Sequence, residues 1–92
     1  MIIAVDFDGT LQIGGRPNTK LIARLKREQA SGNIVILWTC REGERLLDAL
    51  IFLRQCGFAP NFVNQNAPET IKRFGDSRKV YADVYIDDKA AR

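Results

Sequence analysis

The sequence contains no histidine, two cysteines and no long apolar run. Cys40 and Cys56 are too few for a disulfide framework and do not have CxxC spacing, which is typical of a protein in the reducing cytoplasm. No apolar stretch approaches the ~20 residues that a membrane span needs. The N-terminal apolar run has no basic region before it and stops at Asp6, so we expect no signal peptide.

The chain is also short. Of its 92 residues, 46% are hydrophobic and 27% are charged, which is the composition of an ordinary globular domain and not of a disordered tail or a coiled coil. A chain of this length forms one domain with a thin core. We therefore expect a single domain over residues 1–92, with little room for a second domain that would cover a substrate.

Basic residues are concentrated in one segment. The net charge is +3, and residues 16–27 include several basic residues and no acid. Lys20, Arg24 and Arg27 recur at helical spacing, which places them on one face of a helix. Two interpretations stay open, a solvated helix surface and a patch that binds a phosphate-rich partner.

Short apolar runs alternate with helical patterns along the chain. The runs are continuous, as in strands that are covered on both faces. This order predicts an α/β domain with three α/β/α layers, Rossmann-like, around a short parallel sheet. The expected strands are Met1–Phe7, Asn33–Trp38, Phe62–Val63 and Val84–Ile86. The expected helices run from Asn18 or Thr19 to about Ser31, over Glu42–Cys56 and over Pro68–Phe74. A loop or small hairpin is expected at Leu11–Pro17. Side chains expected in the core include Trp38, Leu46, Leu47, Leu50, Ile51 and Leu53.

Polar residues follow each expected strand. Right-handed crossovers bring the carboxyl ends of parallel strands to one edge of the sheet, where open α/β sheets hold their sites. The residues at these ends are carboxylates, hydroxyls and amides, which a core does not need. They are Asp6–Thr10, Thr39–Arg41, Asn64–Asn66 and Asp87–Asp88.

Acidic residues end the first and the last strand. Asp6 and Asp8 are two residues apart, and Gly9 lets the chain turn sharply after them. If the strand that ends at Asp87 and Asp88 is the neighbour, three or four carboxylates converge and repel one another unless a cation lies among them. Because the chain has no histidine, the ligands would be oxygen atoms, which favours a hard cation such as Mg²⁺.

Thr39 and Arg41 add groups that bind anions. Thr39 offers a hydroxyl and backbone N–H groups at the start of a helix, and Arg41 and a lysine can neutralise phosphate oxygens. A carboxylate nucleophile, a metal, a hydroxyl and a cation together indicate phosphoryl transfer.

Three other polar residues have structural explanations. Asn64 and Asn66 are expected to cap the third helix, with contact to the substrate as the alternative. Asp83 is expected to be a turn residue and not a metal ligand.

These residues resemble the motifs of the haloacid dehalogenase-like superfamily. Asp6–Leu11 (DFDGTL) resembles its first motif, Thr39 after an apolar strand its second, and Asp87-Asp88 its fourth. The resemblance spans essentially the whole chain and is closest to the small, single-domain, hydrolase-like members. Lys79–Asp88 (KVYADVYIDD) also resembles the closing segment of the 5′(3′)-deoxyribonucleotidases.

The resemblance implies a Mg²⁺-dependent phosphohydrolase that acts on phosphomonoesters. Asp6 would attack phosphorus and become an aspartyl phosphate, while Asp8 would protonate the leaving oxygen and then activate water. Mg²⁺ would be bound by Asp6, by the backbone carbonyl of Asp8 and by Asp87, with Asp88 assisting. The implied phosphate-binding residues are Thr39, Cys40 and Lys79, and the implied substrate-binding residues are Thr10 and Arg41.

The lysine that offsets charge in the transition state has two candidates. Lys79 matches the third motif of the family by its sequence setting, but it reaches the site only if residues 78–82 form a loop before the last strand. Lys72 has the easier geometry. The resemblance favours Lys79, and the choice stays open.

The superfamily usually carries a cap domain, and this chain departs from that pattern. Residues 11–19 allow only a small flap, and residues 61–68 hold no insert. Capless members usually act on macromolecular phosphates or borrow a lid from another subunit. The expected partners are therefore a phosphorylated substrate (a nucleotide, a sugar phosphate or a macromolecular phosphate) and a second copy of the chain over the site.

Two other classes of function stay open. One is a signalling module that accepts a phosphoryl group, as response-regulator receivers do, although their acid pair comes early in the chain and not last. The other is a non-catalytic module that binds nucleic acid through the basic helix.

Overall fold

The structure, a computed structural model, describes residues 1–75 and 80–88. None of the helices in these two ranges is long and apolar enough to cross a membrane. The elements, in chain order, are β1 (Ile2–Val5), β2 (Gln12–Ile13), β3 (Arg16–Pro17), α1 (Thr19–Ala30), β4 (Ile34–Leu37), α2 (Gly43–Gln55), β5 (Phe62–Val63), α3 (Pro68–Phe74) and β6 (Val84–Ile86).

Four of the strands form one parallel sheet, in the order β5-β4-β1-β6. β1 lies in the interior, where Ile3 pairs with Val35 of β4 on one side and with Val84 of β6 on the other. The chain moves outward from β1 through β4 to β5, and then returns past β1 to β6. This reversal of direction puts the switch point of the sheet between β1 and β6, and it confirms the predicted α/β fold with a short parallel sheet.

The main core lies between one face of the sheet and the helices α1 and α2. Side chains alternate along a strand, so every second residue of β1 and β4 projects to this face. The helices contribute the apolar stripe that recurs every three or four residues. The buried residues of this core include Ile3, Val5, Ile22, Leu25, Val35, Leu37, Ala49, Leu53 and Phe58.

The opposite face of the sheet has a thinner cover. Its buried cluster consists of Ala4, Ile36, Val80 and Ala82. The hydroxyl of Tyr85 in β6 donates a hydrogen bond to the carbonyl oxygen of Val80 (2.6 Å) and accepts one from the backbone N–H of Ala82 (3.0 Å). These bonds attach the segment before β6 to the sheet. Residues of α3 line a cleft beside the start of β1, so both faces of the sheet are covered, as a three-layer fold requires.

Three residues expected in the core are exposed. Trp38 follows Leu37, which faces the main core, so the side chain of Trp38 projects to the thin face and is 44% exposed. Its ring contacts that of Tyr85 at 5.9 Å between centroids. Leu47 and Ile51 are 56% and 46% exposed, because the buried stripe of α2 follows Ala49 and Leu53 and leaves these two beside it. The predictions for all three side chains were wrong.

A hairpin and a cap connect β1 to α1. β2 and β3 pair antiparallel around Gly14 and Gly15, whose φ angles are +57° and +76°, the conformation of a tight hairpin turn that glycine adopts without strain. The side chain of Asn18 accepts a hydrogen bond from the backbone N–H of Leu21 and caps α1. Both features are as predicted from the sequence.

The two sides of α2 provide a stability test. Replacing the fully buried Leu53 with alanine should lower the free energy of unfolding by about 2–5 kcal/mol, because the neighbouring side chains fill only part of the cavity that the smaller residue leaves. Leu47→Ala, on the exposed side of the same helix, should change it by less than about 0.5 kcal/mol. Urea unfolding followed by circular dichroism measures both, and similar losses would contradict the orientation of α2.

Candidate functional site at the carboxyl edge of the sheet

The first and last strands bring two aspartates to the same edge. Asp6 follows β1 and Asp87 follows β6, and the backbone N–H of Asp6 donates to the carbonyl oxygen of Ile86 at 2.9 Å. Both aspartates line one cleft of about 250 Å³, together with Trp38, Thr39 and Cys40. The structure therefore places the ends of β1, β4 and β6 around a common cavity, at the switch point of the sheet.

Asp6 lies in an unfavourable place for a negative charge. Partial burial is the largest cause that raises the pKa of its carboxyl group, and the charges of Asp8, Asp88 and Asp87 raise it further. A hydrogen bond from the backbone N–H of Phe7 to Asp6 Oδ1 (2.8 Å) acts in the opposite direction. The net result is a carboxyl group with a raised pKa, surrounded by other acids.

Asp8 is held by Arg41. The guanidinium donates from Nε to Asp8 Oδ2 (2.9 Å) and from Nη2 to Asp8 Oδ1 (2.8 Å), which is a bidentate pair. Arg41 also donates from Nη1 to the carbonyl oxygen of Arg45 (3.1 Å), and its Cζ atom lies 4.8 Å from the ring centroid of Phe7. The hydrogen bond from Arg41 lowers the pKa of Asp8. Arg41, expected to contact substrate, is in this structure a partner of Asp8.

The carboxylates converge less than the sequence suggested. Within residues 1–75 and 80–88, no three acidic or cysteine side chains are grouped so as to hold a metal ion. Asp8 turns to Arg41, and Asp6 and Asp87 share the cleft. The set implied for Mg²⁺ is two carboxylates and a backbone carbonyl, so it does not require a third acidic side chain. All of these ligands are oxygen atoms, which suit a hard divalent cation.

Thr39 is placed by bonds within the protein. It is 8% exposed, its backbone N–H donates to Asn64 Oδ1 (2.8 Å), and its Oγ1 accepts from the backbone N–H of Arg41 (3.1 Å). The N–H groups of Thr39 and Arg41, expected to bind an anion, are therefore engaged. Cys40 is exposed and lines the cleft.

Asn64 and Asn66 do not cap the third helix. The residue at the N-cap of α3 is Ala67, whose side chain forms no capping hydrogen bond. Asn64 has a φ of +52° and binds the end of β4 through Thr39. Asn66 Oδ1 accepts from the backbone N–H of Tyr81 (2.6 Å). Sequence reasoning missed both roles, because each partner is distant in the chain.

Asp83 lies at a bend, as predicted. Its Oδ2 accepts a hydrogen bond from the backbone N–H of Ile2 (2.7 Å), at the amino edge of the sheet. It is therefore remote from the acids that follow β1 and β6.

A second cleft adjoins the first. It has a volume of about 490 Å³, lies between the hairpin, the start of α1 and the end of β6, and also includes Asp87. Gly9, with a φ of +77°, lies where an added Cβ would be 3.6 Å from the Cβ of Asp88. Thr10 lines this cleft at 4% exposure, and its buried Oγ1 has no hydrogen-bond partner among the described residues. Such a group costs about 1–3 kcal/mol if it stays unbonded.

The basic residues of α1 line two different clefts. Lys20 and Arg24 line the second cleft, beside Asp87. Arg27 lines a different cleft with Pro17 and Cys56. The nucleic-acid surface considered from the sequence stays a prediction.

The two candidate lysines have different positions. Lys72 is exposed in the last turn of α3 and lines neither cleft at the carboxyl edge. Lys79 lies outside the described residues, so its predicted role stays a prediction.

Comparisons with known proteins identify a relative. A solved structure of a conserved protein from Bacteroides thetaiotaomicron superposes with a TM-score of 0.83 and is 38% identical, over 98% of this chain and 77% of the other. No protein-family model and no curated protein matches the sequence. The name of the relative states no activity, so the comparison supports the fold and a shared family.

The bond between Asn64 and Thr39 can be tested with two variants. Asn64→Ala removes the hydrogen bond to Thr39 and also places alanine at a φ of +52°, a left-handed conformation that alanine adopts less readily than asparagine. The free energy of unfolding should therefore fall by about 2–4 kcal/mol. Asn64→Gly removes only the bond and should cost about half as much. Chemical denaturation measures both, and equal losses would show that the backbone conformation carries no strain.

Proposed function

We propose, for a chain that belongs to the same family as the conserved Bacteroides thetaiotaomicron protein, that it is a Mg²⁺-dependent phosphomonoesterase of the haloacid dehalogenase-like superfamily. The observation that carries the proposal is the cleft at the switch point, where Asp6 and Asp87 from neighbouring strands lie beside Thr39. These are the residues that the sequence motifs single out, and they come from three distant parts of the chain.

Asp6 is the proposed nucleophile. The N–H of Phe7 holds its Oδ1, which leaves Oδ2 to attack phosphorus as the bond to the leaving oxygen breaks. The raised pKa of this carboxyl group makes the carboxylate a stronger nucleophile than an exposed one. The product of this step is an aspartyl phosphate on Asp6, and the substrate has lost its phosphoryl group.

Asp8 is the proposed general acid and base. It gives its proton to the leaving oxygen, and then takes a proton from the water that attacks the aspartyl phosphate and restores the Asp6 carboxylate. Arg41 lowers the pKa of Asp8 and so disfavours the protonated form. Arg41 must therefore release Asp8 before the first step, and a phosphorylated substrate offers the guanidinium another anionic partner.

Asp6, Asp87 and the backbone carbonyl of Asp8 are the proposed ligands of Mg²⁺, with Asp88 beside Gly9 in support. When bound, the ion supplies positive charge that lowers the repulsion between the acids and the phosphoryl oxygens. Thr39 and Cys40 line the same cleft and are the proposed phosphate-binding residues. Lys79 is proposed as the additional cation on the resemblance alone.

The open cleft and the two free cysteines complete the proposal. Cys40 and Cys56 are unpaired thiols, which agrees with the reducing cytoplasm as the proposed location. Because residues 11–19 and 61–68 hold no cap domain, the proposed substrate is a nucleotide, a sugar phosphate or a macromolecular phosphate, and a second copy of the chain is the proposed lid.

The test is release of phosphate from p-nitrophenyl phosphate. We expect turnover with Mg²⁺, loss of turnover on chelation with EDTA, and a decrease of at least about 1,000-fold in kcat for Asp6→Asn, because an amide is a very poor nucleophile. Asp83→Asn makes the same change at the opposite edge of the sheet, where an amide oxygen can still accept from Ile2. It should retain activity within about twofold.

Absence of turnover over a broad panel of phosphomonoesters, or equal loss in both variants, would refute the proposal. A stable phosphoryl adduct on Asp6 after reaction with acetyl phosphate, without turnover, would favour a receiver-like module instead.

A further inference from the structure

The second cleft at the carboxyl edge is not used by the chemical steps above. Its volume of about 490 Å³ is within the range of small-molecule sites. Asp87 lines both this cleft and the cleft of Asp6. The two cavities therefore share Asp87 as a wall at the end of β6, and a molecule whose phosphoryl group lies at Asp6 would enter the second one by passing this residue.

One wall of the second cleft is apolar, and its outermost residue is exposed. Ile13, at the tip of the hairpin, is 54% exposed, and Leu21 of α1 and Ile86 of β6 also line the cavity. Exposed apolar side chains that rim a concave surface are typical of ligand-binding sites, because a ligand that covers them removes them from water. This wall suits an apolar or aromatic body.

The other wall is cationic. Lys20 and Arg24 are one helical turn apart on α1 and both line the cavity. Neither forms a salt bridge or a side-chain hydrogen bond with another described residue. The first turn of α1 contains no acid, so the partial positive charge of the helix N-terminus adds to the two cations. This wall suits an anion.

Thr10 adds a polar group between these walls. Its Oγ1 is buried and has no hydrogen-bond partner among the described residues, although the residue lines the cavity. A buried hydroxyl without a partner is rare in folded proteins. A ligand oxygen, or a water that a ligand holds in place, would supply the missing bond.

We infer that this cleft binds the leaving group of the substrate, and that the leaving group has an apolar body and a second anionic group held by Lys20 and Arg24. The assignment to a leaving group rests on the proposed phosphatase function; the anion site itself does not. The substrate class is then a phosphomonoester with a second negative charge, such as a phosphorylated aromatic or aliphatic acid.

A matched pair of substrates tests the assignment. Phenyl phosphate and 4-carboxyphenyl phosphate share the same ring and differ in one carboxylate. We expect kcat/KM to be about tenfold higher for the carboxylated ester, because Arg24 and Lys20 form charge-assisted hydrogen bonds with the carboxylate. Arg24→Gln and Lys20→Gln should each reduce this preference several-fold and change kcat/KM for phenyl phosphate by less than about twofold.

Arg27→Gln is the matched control. It removes the same charge from the same helix, but Arg27 lines a different cleft, so the preference should stay at the wild-type value. Equal preference in wild type and in the Arg24→Gln and Lys20→Gln variants would overturn the assignment. So would an equal loss in the Arg27→Gln variant, which would indicate a general effect of net charge.

Binding of the leaving group alone separates this inference from the proposed function. 4-Hydroxybenzoate, titrated into ¹⁵N-labelled protein, should shift the amide resonances of Thr10, Lys20 and Arg24, and Arg24→Gln should weaken the binding about tenfold. Binding without any phosphatase turnover would refute the proposed function and support the anion site. Turnover without binding or preference would support the proposed function and refute the site.

Discussion

The pairing of β1 with β4 on one side and β6 on the other is the constraint on which the site depends. Among the described residues, β1 is the strand that pairs with both β4 and β6. Its carboxyl end leads directly into Asp6. The hydrogen bond from the N–H of Asp6 to Ile86 extends the pairing one residue beyond the strand. The last strand is thereby aligned with the first, so Asp87 lies beside Asp6 although about eighty residues of chain separate them.

Within residues 1–75 and 80–88, the two carboxyl groups that follow β1 differ in their partners. Arg41 neutralises Asp8 through two hydrogen bonds, and the pKa of Asp8 falls. Asp6 has no such partner in the described structure; its burial and its acidic neighbours raise its pKa. In the proposed division of roles, Asp8 therefore becomes a proton carrier only after Arg41 releases it, because the hydrogen bond from Arg41 holds the pKa of Asp8 low.

Thr39 shows how a distant residue sets the geometry of a site. Asn64 follows β5 and binds the N–H of Thr39 at the end of β4, and it does so from a left-handed backbone conformation that asparagine tolerates better than most residues. The sequence suggested a helix cap for Asn64, because asparagine before a proline-initiated helix often has that role. Tertiary contacts override the local preference here, and the side chain serves β4 instead of α3.

Much of the fold could be predicted from the sequence. Periodicity and turn residues placed α3 and β5 at their observed bounds and the other main elements within two residues, since these signals are local. The burial of Trp38 and Leu47 could not be predicted in this way. An apolar run indicates that both faces of a strand are covered, but it does not show how many side chains cover each face. The face opposite the main core has a small buried cluster, and Trp38 on that face is exposed.

The sequence by itself determined which chemical groups stand at the ends of the strands, because alternation and the stop of each apolar run are properties of adjacent residues. Only the tertiary structure decided their partners: Asp8 with Arg41, Thr39 with Asn64, and Asp6 with Asp87 across the cleft. It also decided which clefts the cations of α1 line: Lys20 and Arg24 line the cleft beside Asp87, and Arg27 lines another. The physical reason is that hydrogen bonds and charge interactions act over a few ångströms in space, whatever the separation of the residues along the chain.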